Sequence, residues 1–484
     1  MRRRQRGRAP PHCRCPRSPR SARPHGRSHR TSRASPGPRY CVQPPRSPWR
    51  GERRALRIAT RSARIAGPAP GGAVSTESSA APPAESGPLE GLRVLDLSQG
   101  ITGPYATKLF ADYGAEVTKI EHPGRGDVSR RFGPFPGDEP HRERSGMFLE
   151  LNTGKRSVTL NLKTASGRAI LLRLAEQADL AVESFRPGTL ERLRLGDPAL
   201  REANPALSLV RISNFGQDGP YRDFAADDML AYAMGGVLSI TLMEGREPVK
   251  LGIYAPLFLA GGVVAAYAFG ALTGGRRSGH GERADISLME VLAGSMDRGG
   301  TNLLSTQYTG ALGHGIHSIG SVALPSGVYP CKDGYFHINA SIRWWDRLCR
   351  LLGRPELIDD PRYTERLDDP TLAPEIDALF LPWALSKTKR EAMLEAQAHG
   401  LGATAIYTME DLSSDPHVRG RGYFQSIEHP AAGRLEYFGP PFTLHGTPVQ
   451  LRRAPLLGEH TVEVLSGLGY SREQIVQLRQ RNIV

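Results

Sequence analysis

The side chains best placed for chemistry are two adjacent carboxylates, Asp227 and Asp228, set directly before the apolar run "MLAYAMGG". Two carboxylates in one pocket repel, which drives one toward its protonated form and makes the pair an acid and a base. The same residues also fit the cap of a helix opening at Met229, because a carboxylate there accepts the free amides of the first turn. A second cluster is "TGALGHGIHSIG" (309–320), where His314 and His317 sit in a glycine-bearing loop suited to covering a site. Imidazoles titrate near neutrality, but an H-x-x-H pair without further ligands does not make a metal centre. Trp344 and Trp345 read as packing residues. Cys331 and Cys349, the only cysteines after Cys41, make no disulfide framework.

These groups need a scaffold to position them. "LRVLDL" (92–97) reads as a strand, "GPYATKLFADYG" (103–114) as a helix with Pro104 in its first turn, and "AEVTKIE" (115–121) as a second strand. Strand, helix, strand predicts a parallel sheet. The pattern repeats with "SVTLNL" (157–162), a helix from about Ser166 to Gln177, "DLAVES" (179–184), a helix near 189–195 and "LSLVRIS" (207–213). Glu121 ends the second strand where a dinucleotide-binding fold places its ribose-holding acid. The turn "SQGITG" carries only Gly100 and Gly103, so it lacks the room that G-x-G-x-x-G gives a pyrophosphate. A redox dinucleotide is therefore not expected. Leu251 to Gly275 is an uncharged run long enough to cross a bilayer. Its Gly and Ala content predicts instead a buried, tightly packed helix, with Pro256 at its start and Gly274 and Gly275 at its end.

The net charge of +14 is unevenly spread. Residues 1–74 hold 20 arginines, no lysine and a single acid, Glu52, leaving 43 basic and 48 acidic groups for the other 410 residues. That mildly acidic body lacks the clustered positive charge that nucleic-acid binding needs, so no nucleic-acid partner is expected. Residues 1–88 are rich in Arg, Pro, Ser, Gly and Ala, show no apolar period and contain no secretory h-region. They read as a disordered tail. Arginine without lysine beside Pro and Gly is also what GC-rich upstream DNA yields when translated, which makes Val74 the expected true start. A reduced, cytoplasmic body without a membrane segment is expected.

Six stretches run from Gly91 to Thr461: "GLRVLDLSQGITGPYATKLFADYGAEVTKIEHPGRGD", "LNTGKRSVTLNLKTASGRAILLRLAEQADLAVESFRPG", "NFGQDGP", "DDMLAYAMGG", "DGYFHINASIRWWDRLCRLLGRPELIDDPRY" and "RAPLLGEHT". In this order they resemble the class III CoA-transferases, the family of formyl-CoA:oxalate and carnitine-related CoA-transferases and α-methylacyl-CoA racemases. The resemblance implies an α/β fold with a Rossmann-like large domain, a smaller α+β domain and an interlocked homodimer. Carried over, 89–300 and 406–484 form the large CoA-binding domain and 301–405 the small one. From Glu459 onward, after Pro455 and Gly458, an amphipathic helix is expected. CoA or acyl-CoA would enter as substrate, with no tightly bound cofactor. The family's CoA-contacting positions fall on Gln99, Gly100, Thr102, His122, Leu160, Lys163, Ser184, Phe185, Arg192 and Leu193. Of these, Lys163 and Arg192 would supply charge to the phosphates, and Phe185 would pack on the adenine. Ser184 stands where the family commonly has Asn, and His122 where it often has Arg or Pro. Ala225 falls where one branch has Lys.

The resemblance also implies double displacement, in which an Asp carboxylate attacks an acyl-CoA thioester and later carries CoA itself as a thioester. The family's nucleophile lies in a signature similar to G-V-P-I-A-D-L-x-x-G. Here that segment is "GIYAPLFLAG" (252–261), and Leu257 occupies the Asp position. The flanking "PVKLG" (248–252) keeps the register, and no carboxylate lies between Gly252 and Gly281. Asp228 is then the catalytic candidate. The racemase branch resembles a His-Asp pair working with the same later Asp, and here Asp227 replaces that His. The expected activity is CoA transfer between an acyl-CoA and a carboxylic acid. The alternatives are a divergent racemase, isomerase, hydratase or thioesterase, or a non-catalytic acyl-CoA-binding subunit partnered with an Asp-bearing paralogue.

Overall fold

The computed structural model describes residues 87–241, 247–295, 299–310, 323–440, 442–447, 449 and 451–484. The expected disordered tail up to residue 86, and the loop holding His314 and His317, lie outside them.

The first elements are β1 (Arg93–Leu97), α1 (Thr102–Asp112) and β2 (Glu116–Glu121), followed by α2 (Gly146–Leu151), β3 (Arg156–Thr159) and α3 (Ala165–Ala175). Then come β4 (Leu180–Glu183), α4 (Thr189–Arg192), α5 (Asp197–Ala203), β5 (Ser208–Ser213), α6 (Asp228–Met234) and α7 (Val237–Ile240). A long α8 (Ala255–Ser278), β6 (Arg283–Ser287), α9 (Leu288–Ser295) and α10 (Gly299–Thr309) complete this half. The six strands form one parallel sheet in the order β3-β2-β1-β4-β5-β6. The chain runs from β1 outward to β3, then crosses to the other side of β1 to start β4. That reversal is the topological switch point where α/β sheets bind ligands.

Strand residues alternate between two cores, as a period of two requires. Val94, Val117, Val182 and Val210 face α1, α6, α8 and α9. Leu95, Leu97, Ile120, Val158 and Leu209 face α3, α4 and α5. The second core is closed by Val464, Leu465, Leu468 and Ile475 from the C-terminal end of the chain. That end folds as two helices, Thr461–Gly467 and Arg472–Gln480, and not the single helix expected from Glu459. The break falls at Gly469 (φ +85°), and Ser471 then opens the second helix with a capping box on Gln474. β3 is likewise shorter than its apolar run, because Asn161 turns the chain into Thr164, whose hydroxyl caps α3.

Helix α8 corrects one expectation. It does not stop at Gly274 and Gly275 but continues to Gly279, a left-handed cap at φ +75°. Gly275 serves packing: a Cβ there would lie 2.7 Å from the Ser208 hydroxyl oxygen. Burial of α8 is also one-sided. It is the one helix among the described residues apolar and long enough to cross a membrane, and only 39% of its most apolar stretch is buried. Its inner face crosses α1 at Gly261, where a Cβ would sit 2.8 Å from the Thr102 carbonyl oxygen and 2.9 Å from the Tyr105 ring. Gly261→Ala is therefore expected to cost about 1–3 kcal/mol by overpacking. A urea midpoint unchanged from the natural chain would show that this crossing has slack.

A separate antiparallel sheet holds β7 (Ser326–Cys331), β8 (Gly334–Asn339) and β9 (Gly402–Ala405). Helices Trp345–Leu351, Ala373–Ser386 and Lys389–Ala398 pack with it around Phe336, Ile338, Leu348 and Phe380. Trp345 is buried in this core with its indole N–H on the Leu357 carbonyl (3.0 Å), a packing role, and Cys331 and Cys349 are free and buried. The last hairpin, β10 (Phe424–His429) and β11 (Gly433–Phe438), packs on α2 through Ile427 and Tyr437.

Candidate active site

The carboxyl ends of β1, β4 and β5 meet at the switch point, and the turns leaving them enclose a cleft of about 640 Å³. The turn after β1 contributes Gln99, Gly100 and Thr102, and the turn after β4 contributes Ser184 and Phe185, with Arg192 just beyond. The loop after β5 brings Asp227 and Asp228, and the first turn of α8 brings Leu257. His122, Leu160, Lys163 and Leu193 do not line this cleft. Leu160 is buried in the core, Leu193 packs against that core, and Lys163 is exposed on the turn before α3. The His122 ring turns back on itself, Nδ1 lying 2.6 Å from the Pro123 carbonyl oxygen. Ser184 still ties two cleft turns together: its hydroxyl accepts the Gln99 N–H at 2.9 Å.

Beneath the β1 turn lies a buried ionic cluster. Asp96 receives Lys155 Nζ at 2.9 Å, the Thr107 hydroxyl at 2.8 Å and Lys119 Nζ at 3.4 Å. Lys119 Nζ also sits 2.7 Å from Asp127 Oδ2. Asp127 Oδ1 in turn accepts the Gly100 N–H at 3.1 Å and the Ser129 N–H at 2.7 Å. Gly100 has φ +82°, a conformation that favours glycine, so the turn is held by its own backbone and by a carboxylate below. Burial alone would raise the Asp96 carboxyl, but Lys119 and Lys155 reverse this and hold it well below the usual carboxylate range. Burial pushes the Lys155 ammonium down to about 8, with Lys119 adding to the shift and Asp96 opposing it. Glu121, the acid at the end of β2, is fully engaged by the Arg130 guanidinium (2.7 and 2.8 Å), the Ser157 hydroxyl (2.6 Å) and the Asp127 N–H (2.8 Å).

The two adjacent carboxylates both line the cleft and have separate partners. Asp227 caps α6, accepting the Leu230 N–H at 3.0 Å. Asp228 pairs through Oδ2 with Lys250 Nζ at 2.8 Å, leaving Oδ1 without a hydrogen-bond partner among the described residues. The same ammonium donates to the carbonyls of Leu251 (3.0 Å) and Ile253 (2.6 Å). Ile253 sits at φ +53°, unusual for a β-branched residue, and Lys250 fastens the strained segment that leads into α8. Leu257 follows in the first turn of that helix. Its carbonyl accepts the Thr102 hydroxyl at 3.2 Å, and its side chain packs against the first core while bordering the cleft.

Residues 89–461 match the model of CoA-transferase family III. The chain belongs to CoA-transferase family III. It is 34% identical over 401 residues to the succinyl-CoA–D-citramalate CoA-transferase of Chloroflexus aurantiacus, covering 82% of this chain and 98% of the relative. It is 31% identical to the alpha subunit of the succinyl-CoA–L-malate CoA-transferase of the same organism, covering 82% of this chain and 92% of that one. The crystal structure of a CAIB/BAIF family protein from Brucella suis superposes with a TM-score of 0.70 at 27% identity, covering 79% of this chain and all of that one.

For a family III chain, the structure adds cleft residues that sequence reasoning missed. Phe132 and Tyr254 form stacked walls with ring centroids 6.1 Å apart, and Asn214, Arg186, Arg222 and Phe224 are among the other lining residues. Asp127 and Lys250 stand behind it. The sequence held a trace of each, Asp127 in "GRGD" and Lys250 in "PVKLG", but only the fold shows that one holds a turn amide and the other a carboxylate.

Proposed function

We propose that this chain binds a CoA thioester in the switch-point cleft and transfers CoA to a small organic acid. The observation that carries this reading is the gathering of Gln99, Gly100, Thr102, Ser184, Phe185 and Arg192 around the same cavity as Asp228. The relatives named for succinyl-CoA with D-citramalate or L-malate support an organic acid as acceptor. Asp228 Oδ1 attacks the thioester carbonyl, the C–S bond breaks, and CoA leaves as thiolate, with the acyl group left on Asp228 as a mixed anhydride. The thiolate then attacks the aspartyl carbonyl, releasing the donor acid and leaving CoA on Asp228. The acceptor carboxylate displaces that CoA to form a second anhydride. Attack of the thiolate on the acceptor's acyl carbon gives the new acyl-CoA and frees Asp228. Lys250 orients the nucleophile through Oδ2.

A second reading is favoured by Leu257, which cannot attack or carry charge: the chain serves as the CoA-binding partner of an Asp-bearing family member. The apolar surface left on α8 and α10 by Leu259, Tyr267, Phe269, Leu303 and Leu304 suits either a second copy in an interlocked dimer or such a partner. The deciding experiment incubates the purified chain with several acyl-CoAs and a pool of free acids, and follows new thioesters by liquid chromatography with mass detection. Exchange by the chain alone is expected, with Asp228→Asn lowering it by at least about 100-fold. Exchange that survives Asp228→Asn would remove Asp228 from the mechanism. Exchange that needs an added Asp-bearing paralogue would establish the second reading.

A further inference from the structure

We propose that Arg222 and Arg192 form a two-guanidinium clamp for one phosphate group of the CoA nucleotide; the inference rests on the CoA reading above. Arg222 is the only cation in the 214–227 loop, which also carries Asp218, Asp223 and Asp227. The loop is built to hold it. The Gln217 N–H donates to Asp285 Oδ2 at 2.8 Å, and the Asn214 side-chain amide donates to the Ala226 carbonyl at 3.1 Å, fixing both ends. Phe215, Tyr221 and Phe224 pack on one another with centroids 4.9 to 6.3 Å apart, bracing the turn in which Arg222 sits.

Arg222 has a buried Nε with no hydrogen-bond partner and no ion pair among the described residues. Buried guanidinium donors are ordinarily satisfied, and Arg130, Arg211 and Arg453 in this chain all have carboxylate partners. Two guanidinium groups converge on the turn after β4. Arg222 Nη2 lies 3.2 Å, and Arg192 Nη1 3.5 Å, from the point that a Cβ on Gly188 would occupy. Gly188, at φ +77°, leaves that point empty. Of the carboxylates nearby, Glu191 pairs with Arg211 at 3.0 Å while also feeling the Arg222 charge, Asp227 caps α6, and Asp228 holds Lys250; Asp223 lines the same cleft and balances part of the local positive charge. Like charges facing one gap at a cleft mouth are stabilised by an anion between them, and forked guanidinium donors match phosphate oxygens. Arg192 keeps its other nitrogen on the Thr189 hydroxyl (2.7 Å), which aims the group.

The test is calorimetric binding of CoA and of 3′-dephospho-CoA to the full chain and to Arg222→Ala and Arg222→Lys, with melting curves to show that each variant folds. Arg222→Ala is expected to weaken CoA binding about 10- to 100-fold, the scale of lost charge-assisted hydrogen bonds. Arg222→Lys is expected to recover part of the loss. A loss with CoA but not with dephospho-CoA places the clamp on the 3′-phosphate, and an equal loss with both places it on the diphosphate; either supports the proposal. Unchanged CoA affinity in Arg222→Ala overturns it while the CoA reading stands. A natural chain that binds neither nucleotide overturns both.

Discussion

Leu257→Asp is expected to raise CoA exchange by at least about 100-fold over the natural chain, because it places an unengaged carboxylate in a cleft whose present candidate is partly occupied. Asp228 gives one oxygen to Lys250. Residue 257 borders the same cleft in the first turn of α8, where the helix dipole favours a negative charge. The Thr102 hydroxyl already fixes the residue's backbone through its carbonyl, so the new side chain starts from a defined position. The substitution gives up apolar contact with the first core, a cost of about 1–3 kcal/mol in stability, and a lowered melting temperature should accompany the gain in rate. Intact-mass measurement after reaction with an acyl-CoA should show a protein heavier by one CoA less one water, located to residue 257 by peptide mapping. If the variant folds and exchanges no faster than the natural chain, the first turn of α8 is not where the reacting carbonyl sits.

Asp96→Ala is expected to destabilise the protein by about 3–5 kcal/mol, the usual result of removing one partner from a buried ionic group. Lys119 and Lys155, both fully buried, would lose their shared partner; Lys119 would keep Asp127 and the more distant Glu121, and Lys155 would keep no ion pair among the described residues. The Asp96 carboxyl is held below the ordinary range by those lysines against burial, so its folded value lies below its unfolded one. Its contribution is therefore present at neutral pH and is lost as the pH falls below the ordinary carboxylate range, near pH 4, toward the folded value. Urea midpoints of the natural chain and of Asp96→Ala should differ widely at pH 7 and converge on acidification. A constant difference across that range would mean that the residue acts by packing and not by charge.

The β1–α1–β2 unit was legible in the sequence to within a residue or two, because Leu92, Val94, Leu95 and Leu97 are buried on both faces and Gly114 marks the turn. Local signals failed where a glycine had another duty. Gly274 and Gly275 look like a helix stop but are close-packing sites against Glu282 and Ser208, something that no single-sequence pattern encodes. The cleft was legible in part for the same reason. Gln99, Gly100, Ser184 and Phe185 follow directly from strand ends, whereas Arg222 and Lys250 reach the site from loops whose path depends on tertiary contacts. The single helix expected after Glu459 failed because the signal of Gly469 and Ser471, a stop followed at once by a cap, was outweighed by the amphipathic pattern running through it.

The closure of the second core by the chain's last helices sets the order in which the protein can be made. Ser157 on β3 receives its partner His460, and Thr159 its partner Thr461, from 303 and 302 residues further on. At the usual 5–20 residues per second, roughly 15 to 60 s of synthesis separate the two sides of that contact. Through that interval the apolar face of β3 and α3 waits uncovered, and the second core is complete only once residues 461–475 have been made.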